Sequence, residues 1–391
     1  MHYSPVFGRR HKFEITMEIK ETKVRLRSLD FFRGLTVAGM ILVNNPGDWS
    51  HIYAPLEHSR WNGCTPTDLV FPFFLFIVGV SIVFAMATKK MDPANHRAII
   101  LKALRRSITI YIIFLLLILI PKFDFQHLRL LGVLPRIAIV FFISTIIFIK
   151  TSRKTQLWIF WSILIAYYFI MNFIPVPGIG PSNLEPATNL AAWMDTVVLT
   201  PNHMWSGSKI FDPEGILSTL PAISTCLLGI FTGTWLQRKD RSPENKVAWL
   251  FSIAVLLVIG GLVWNGFFPM NKALWTSSFV LFTGGLAMTT LALSYWLIDV
   301  NGRQKYTEPF VAFGSNAIVI YVVSGYLPEL IGAIQVTDGG QPSNAWQFVY
   351  HHLFESWLSP INASLASALM YVVLLSIPMI IMYRKKIFIR I

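Results

Sequence analysis

His58 and its polar neighbours are where this chain could do chemistry. His58 stands in the segment EHSRWNG, Asp68 follows in TPTDLVFPFF, and Asn44 precedes both in LVNNPGD. A neutral imidazole is the natural general base near neutral pH, and it can also accept an acyl group. A carboxylate behind it orients the ring and stabilises the imidazolium. A side-chain amide such as that of Asn44 can donate to a developing oxyanion. Each residue also has a plainer reading. His58 fits an exposed loop. Asp68, after Thr65, Pro66 and Thr67, fits the first turn of a helix. Asn44, before Asn45-Pro46-Gly47, fits a helix C-terminus. Residue type and spacing leave both readings open.

The elements that must position these residues are apolar. The chain has 391 residues, of which 54% are hydrophobic and only 14% charged, with mean hydropathy +0.55. A soluble domain carries about 25% charged residues. The shortfall, with repeated apolar runs of roughly 20 residues, predicts an all-α, polytopic helical membrane protein. A β-barrel is disfavoured, because the runs are continuous rather than alternating. Run lengths predict about ten transmembrane helices, near 30–46, 68–88, 107–121, 131–149, 156–175, 215–236, 248–268, 273–298, 309–331 and 361–383. Asp30 and Arg33 begin the first span, Asn44 nears its end and Asp68 opens the second. Ionisable groups at or inside a bilayer are expensive and mark a functional site.

Charge placement sets the expected topology. The net charge is +13. Lys and Arg concentrate before Ser28, in 89–106, 150–154, 238–246 and 303–305, and again after residue 383. The intervening connections hold only Arg60, Lys122, Arg129, Lys209 and Lys272. The positive-inside rule then puts both termini in the cytoplasm and His58 on the opposite side. The basic residues form no domain able to track phosphates, so a nucleic-acid partner is not expected. Residues 1–28 read as a flexible basic cytoplasmic tail without the apolar core of a signal peptide, and Met17 is a second plausible start. Residues 29–391 read as one transmembrane domain, since no repeat or low-complexity linker divides them.

Further polar residues offer secondary roles. Cys64 and Cys226 exclude a disulfide framework, and Cys64 is a candidate thiol near His58. Arg136, in GVLPRIAIVFF, must pair, face a wet cavity or snorkel. FDPEGILST predicts a helix start, with Asp212 as cap, Pro213 first and Glu214 matched to the dipole. Asn271, Lys272 and Asn316 are polar groups at span ends. Tryptophans 49, 61, 193, 205, 264 and 357 lie in or beside the connections opposite the basic side. They suit an interfacial belt or a platform for sugar rings. His351-His352 has no acidic or cysteine company at metal-ligand spacing, so no metal site is expected. Walker, GxGxxG and GxSxG motifs are absent from the sequence.

RLRSLDFFRG, SRWNG, TDLVFPFFLFIVGVSI, GVLPRI, FDPEGIL, NKALWTSSFV, GSNAIVIYV and YRKKIF occur in this order. The ordered set, covering Arg25 to Ile391, resembles the heparan-α-glucosaminide N-acetyltransferase family, a branch of the transmembrane acyltransferases. The resemblance implies an enzyme that takes acetyl groups from cytoplasmic acetyl-CoA and passes them to an amino sugar or glycan across the membrane. It implies His58 as the catalytic histidine, with Asn44 and Asp68 at the family's accompanying positions. Arg25, Arg27, Arg33, Arg384, Lys385 and Lys386 would then meet the coenzyme A phosphates, although topology and lipid headgroups also account for most of them. Trp61, Asn62, Arg136, Asp212, Glu214, Asn271 and Lys272 are the candidates for the acceptor side. A bacterial plasma (inner) membrane is the expected location, with membrane lipid as surroundings. An assembly of like chains is compatible with such a bundle. The main rival is a transporter of amino sugars or other small molecules, which broken helices near mid-membrane would favour.

Overall fold

The computed structural model describes residues 26–120 and 123–389, so the tail up to Arg25, together with Lys122 and Arg390, lies outside the described residues. Each expected span falls on a helix. In chain order the helices are α1 (Arg27–Asn44), α2 (Val70–Lys90), α3 (His96–Leu119), α4 (Val133–Lys150), α5 (Arg153–Phe173), α6 (Leu190–Leu199) and α7 (Thr219–Leu236). There follow α8 (Pro243–Asn265), α9 (Ser277–Tyr295), α10 (Glu308–Ser315), α11 (Ala317–Gly332), α12 (Ala345–Tyr350) and α13 (Pro360–Arg384). A two-stranded antiparallel hairpin, Gln335–Asp338 with Gln341–Asn344, interrupts the helical pattern between α11 and α12.

Among the described residues, seven helices are long and apolar enough to cross a membrane, or eight if α10 and α11 count as one bent span. The sequence reading of about ten also counted α1 and α3. Both are interrupted by charge: α1 carries Arg27, Asp30 and Arg33, and α3 carries Lys102, Arg105 and Arg106. The 309–331 span is not straight. It bends by 89° between α10 and α11, at Asn316. There the Asn316 amide donates to the Ile387 carbonyl at 3.0 Å and its oxygen accepts the Ile389 N–H at 2.9 Å. The segment after α13 thus satisfies polar groups at the break, as backbone away from water requires.

The core is a seam of close helix approaches. Gly79 of α2 and Gly229 of α7 let the two backbones touch; a Cβ on Gly79 would lie 1.9 Å from the Cys226 carbonyl oxygen, and one on Gly229 2.0 Å from that of Phe76. Small residues in this role are how helices pack without a hydrophobic driving force between them. α9 packs against α7 and α8, while α8 and α13 present most of their apolar surface outward. α1 and α2 form a hairpin whose connection, residues 45–65, lies at the end opposite Arg27 and Lys90. That connection carries His58.

Candidate active site

Asp68 sits where two structural demands meet. A short 3-10 turn, Pro66–Leu69, leads into α2, with Thr65 as its cap and Asp68 completing a capping box. Asp68 Oδ2 accepts the Ser59 and Thr65 N–H groups, each at 3.1 Å, and the Thr65 hydroxyl at 3.1 Å. Asp68 Oδ1 lies 2.7 Å from His58 Nδ1. The carboxylate is fully buried, while about half of the imidazole is exposed. Such a buried carboxylate persists because both of its oxygens find donors. The helix-cap reading and the imidazole-partner reading of Asp68 are therefore both realised, on different oxygens. Because the carboxylate only accepts, the ring donates from Nδ1 and presents the lone pair of Nε2.

Lys272 approaches the same ring from the connection between α8 and α9. Its Nζ lies 3.1 Å from His58 Nδ1, 3.4 Å from Nε2 and 3.6 Å from Asp68 Oδ1. With Nδ1 committed to the shorter contact with Asp68, the ammonium can donate only to Nε2 or to the carboxylate. Burial pushes the Lys272 ammonium below the ordinary lysine range, while Asp68 and Glu214 oppose that shift. The turn holding Lys272 is rigid. Trp275 closes it with φ +52, its N–H donating to the Lys272 carbonyl, and its buried indole donates to Thr225 Oγ1 at 3.0 Å. A bulky residue in that conformation persists only when its surroundings over-determine it. Asn271 donates to the Asn62 side chain at 3.2 Å and accepts the Leu274 N–H at 2.9 Å. The Trp61 indole donates to the Leu184 carbonyl at 2.8 Å and packs edge-on to Phe211. Trp61, Asn62 and Asn271 thus sew the connections to one another. Burial and the nearby Asp68 charge push the Cys64 thiol up to about 12, which keeps it protonated and unreactive.

The FDPEGILST segment departs from its expected form. α7 begins at Thr219, with Ser218 before it, so Asp212 does not cap that helix. Residues 212–219 instead form successive turns around a clamp that the sequence reading missed. Arg129 donates from Nε and Nη2 to both oxygens of Asp212, at 2.9 and 2.6 Å, and from Nη2 to Glu214 Oε2 at 2.7 Å. Burial works against the Arg129 charge, and these two carboxylates more than offset it. Asp195 of α6 accepts the Ile216 N–H at 2.9 Å and the Asp212 N–H at 3.3 Å, and burial pushes its carboxyl up to about 6. Arg136 is buried behind the clamp. Its Nη2 donates to the Gly215 carbonyl at 3.2 Å and to Ser218 Oγ at 2.5 Å, and its guanidinium lies 5.1 Å from the Trp275 ring centroid. Only the expectation that a lone arginine in a span must find partners pointed to this arrangement.

One cavity of about 1150 Å³ joins these groups to the basic end of the bundle. At one end it is lined by Asn44, His58, Thr67, Glu214 and Lys272. At the other end stand Arg33, Lys102, Arg105, Arg106 and Asn316, and between them run apolar residues such as Met40, Phe74 and Val78. From Thr67, in the turn that leads into α2, to Met86 within it, the lining extends about 29 Å at roughly 1.5 Å per residue. Arg33 donates from Nη1 to Asp30 and to the Gly314 carbonyl, each at 3.1 Å, and from Nη2 to Ser81 Oγ at 2.9 Å. Lys102, Arg105 and Arg106 were visible in the sequence only as topology signals. The other described basic candidates lie outside the lining. Arg27 donates to Thr307 Oγ1, and Arg384 pairs with Glu308 at 2.7 Å on the surface. Lys385 and Lys386 follow the end of α13. Among the described residues, no three His, Cys, Asp or Glu side chains come together in a way that could hold a metal ion.

An imidazole held by a carboxylate, with Asn44 lining the same cavity, stands at one end of a long passage that has guanidinium groups at the other. Residues 25–262 match the family model described as heparan-alpha-glucosaminide N-acetyltransferase, catalytic. The mouse protein named heparan-alpha-glucosaminide N-acetyltransferase is 29% identical over 350 residues, covering 76% of this chain and 53% of its own length. The human protein of the same name is 27% identical over 362 residues, covering 78% of this chain and 54% of its own. The chain spans about half the length of these curated relatives. With more than half of its own length matched by the family model, including His58, Asp68 and the Arg129 clamp, the chain belongs to the heparan-alpha-glucosaminide N-acetyltransferase family.

Proposed function

We propose that this chain is a transmembrane acetyltransferase that moves an acetyl group from acetyl-CoA, bound at the basic end of the cavity, to an amino sugar or glycan at the His58 end. The observation that carries this reading is the continuity of one cavity from Arg33, Lys102, Arg105 and Arg106 to His58. Guanidinium groups suit phosphate through paired hydrogen bonds, and a narrow apolar passage suits the thin pantetheine arm. The positive-inside distribution supports a cytoplasmic basic end and an acceptor on the far side. A multi-pass location in a bacterial plasma membrane fits the same pattern.

The residues divide the work. His58 Nε2 takes the proton from the acceptor amine as its nitrogen bonds to the acetyl carbon. Asp68 holds the ring through Nδ1 and balances the imidazolium. Asn44, the last residue of α1, lines the same end and donates to the carbonyl oxygen as charge builds there. The carbon–sulfur bond breaks, and the thiolate takes up a proton. Lys272 must withdraw from Nε2 before the base is open, and Asp68 offers it an alternative partner 3.6 Å away. Direct transfer and a two-step route through an acetylated His58 both use this geometry. Radiolabel from acetyl-CoA, quenched rapidly without acceptor, separates them.

The test is thiol release by the purified protein with acetyl-CoA and glucosamine. Thiol is expected with acceptor present, and His58→Ala is expected to lose about 10²–10⁴-fold. Thiol release unaffected by that change overturns the reading.

The bent α10–α11 pair supports a second reading, a transporter, because broken helices build many transporter sites. Its break, however, packs beside the first turns of α1, where Gly314 meets the Asp30 carbonyl, rather than midway along the bundle. Glucosamine uptake by proteoliposomes without thiol release would favour transport.

A further inference from the structure

Glu214 is anchored through one of its two carboxylate oxygens. Its side chain is about nine-tenths buried. Oε2 is fixed by Arg129 Nη2, while Nε and the other Nη2 hydrogen of the same guanidinium are engaged by Asp212. The Glu214 N–H donates to Asp212 Oδ1 at 2.9 Å, so the backbone beneath the carboxylate is fixed as well. Among the described residues, no hydrogen bond reaches Oε1. Glu214 also lines the same cavity as His58 and Lys272. Oε1 is therefore the accessible oxygen of an otherwise nearly buried side chain, and an occupant of the cavity can give it a charge-assisted hydrogen bond.

From this we propose that Glu214 determines acceptor specificity by taking a hydrogen bond from the amine of an amino sugar, and that Arg129 is the positioning residue that aims it. The inference rests on the acetyl-transfer reading for the identity of the occupant. An amine is favoured over a hydroxyl because a carboxylate gains most from a charged donor. The neighbouring charges do not override this local preference. Arg129, Arg136 and Lys272 face Asp212, Glu214, Asp195 and Asp68, three cations against four carboxyl groups, which does not disfavour a cationic donor. Glu214 and His58 line one cavity, so an amine held by Glu214 shares that cavity with the imidazole. The ammonium releases one proton to solvent before attack; once Lys272 has moved aside, His58 takes the second as the nitrogen bonds to the acetyl carbon, and the departing thiolate takes up one proton. No oxidant or further reactant is required.

The experiment is equilibrium binding of glucosamine and glucose to the detergent-purified protein, with coenzyme A affinity measured alongside. In the unaltered chain glucosamine is expected to bind about 10-fold or more tightly than glucose, which carries a hydroxyl where glucosamine carries its amine. Glu214→Gln keeps size and the Arg129 contact but removes the charge. It is expected to weaken glucosamine about 10-fold and to leave coenzyme A within about twofold. Arg129→Lys loses the clamp and is expected to weaken glucosamine in the same direction while raising the acceptor KM more than it lowers kcat. Equal affinity for the two sugars in the unaltered chain overturns the proposal without any variant. So does a Glu214→Gln protein that still binds coenzyme A and keeps its glucosamine affinity. Because binding is the readout, a chain that binds glucosamine through Glu214 but releases no thiol would refute the transferase reading alone. A chain that releases thiol regardless of Glu214 would refute this inference alone.

Discussion

Lys272 Nζ reaches within 3.1 Å of His58 Nδ1 although 214 residues separate the two. One residue belongs to the connection after α1, the other to the connection before α9. The imidazole is therefore flanked by two distant parts of the bundle, and its surroundings exist only when both have docked. Asp68 lies between them, 2.7 Å from the ring and 3.6 Å from the ammonium.

Asp68→Asn separates the two tasks of that carboxylate. An amide can still accept hydrogen bonds at the capping oxygen, but it presents an N–H or a neutral oxygen to His58. Turnover in the thiol-release assay is expected to fall by about 10²–10⁴-fold. The loss of buried charge-assisted bonds is expected to lower stability by about 1–3 kcal/mol, read as a lower thermal midpoint. Turnover near that of the unaltered chain would remove Asp68 from the mechanism.

The basic end makes a prediction of opposite selectivity. Arg105→Gln and Lys102→Gln, on the cavity face of α3, are each expected to weaken coenzyme A and leave glucosamine binding unchanged. A charge-assisted phosphate contact partly open to solvent is worth about 1 kcal/mol, so roughly fivefold is expected for each, shrinking as salt is raised. Titration calorimetry at low and high ionic strength checks both features. Salt-independent affinity would place the phosphates elsewhere.

Asp195 supplies a pH test of the clamp. Burial pushes its carboxyl up to about 6 from the ordinary 3.8, so the folded chain holds this proton where the unfolded chain has released it. Folded protein then binds more protons between these values, and stability falls as pH rises through that window. The difference is worth about 3 kcal/mol at most. Asp195→Asn removes it. The variant is expected to gain thermal stability relative to the unaltered chain as pH goes from 4.5 to 7.5. Parallel melting curves across that range would show that Asp195 titrates normally.

The seam between α2 and α7 predicts a structural failure with no chemical cause. Gly229→Ala would place its methyl group 2.0 Å from the Phe76 carbonyl oxygen. Overpacking of this kind costs about 1–3 kcal/mol. Thermal midpoint and monodispersity should fall together, while any folded fraction keeps normal KM values. An unchanged midpoint would mean that the helices separate easily here.

The apolar runs made the helices legible, because in lipid a continuous run of that length has one stable backbone arrangement. Three features were less visible. α3 starts well before residue 107, because Lys102, Arg105 and Arg106 face a cavity and break the apolar run without breaking the helix. The bend at Asn316 depends on residues 387 and 389, and no local pattern announces so distant a partner. The Arg129 clamp likewise spans more than 80 residues. Asp212 has the composition of a helix cap, but two guanidinium bonds and the Trp205 N–H claim its oxygens. By contrast, His58 and Asp68 were readable together because a single short connection brings them into contact. Lys272 was readable only as a polar residue at a span end.

The shared carboxylate at the start of α2 has a consequence for how the protein matures. The same side chain that begins the helix also grips the imidazole, so winding that first turn and readying the base are one event. A chain inserted but not yet wound there leaves the imidazole without its carboxylate partner.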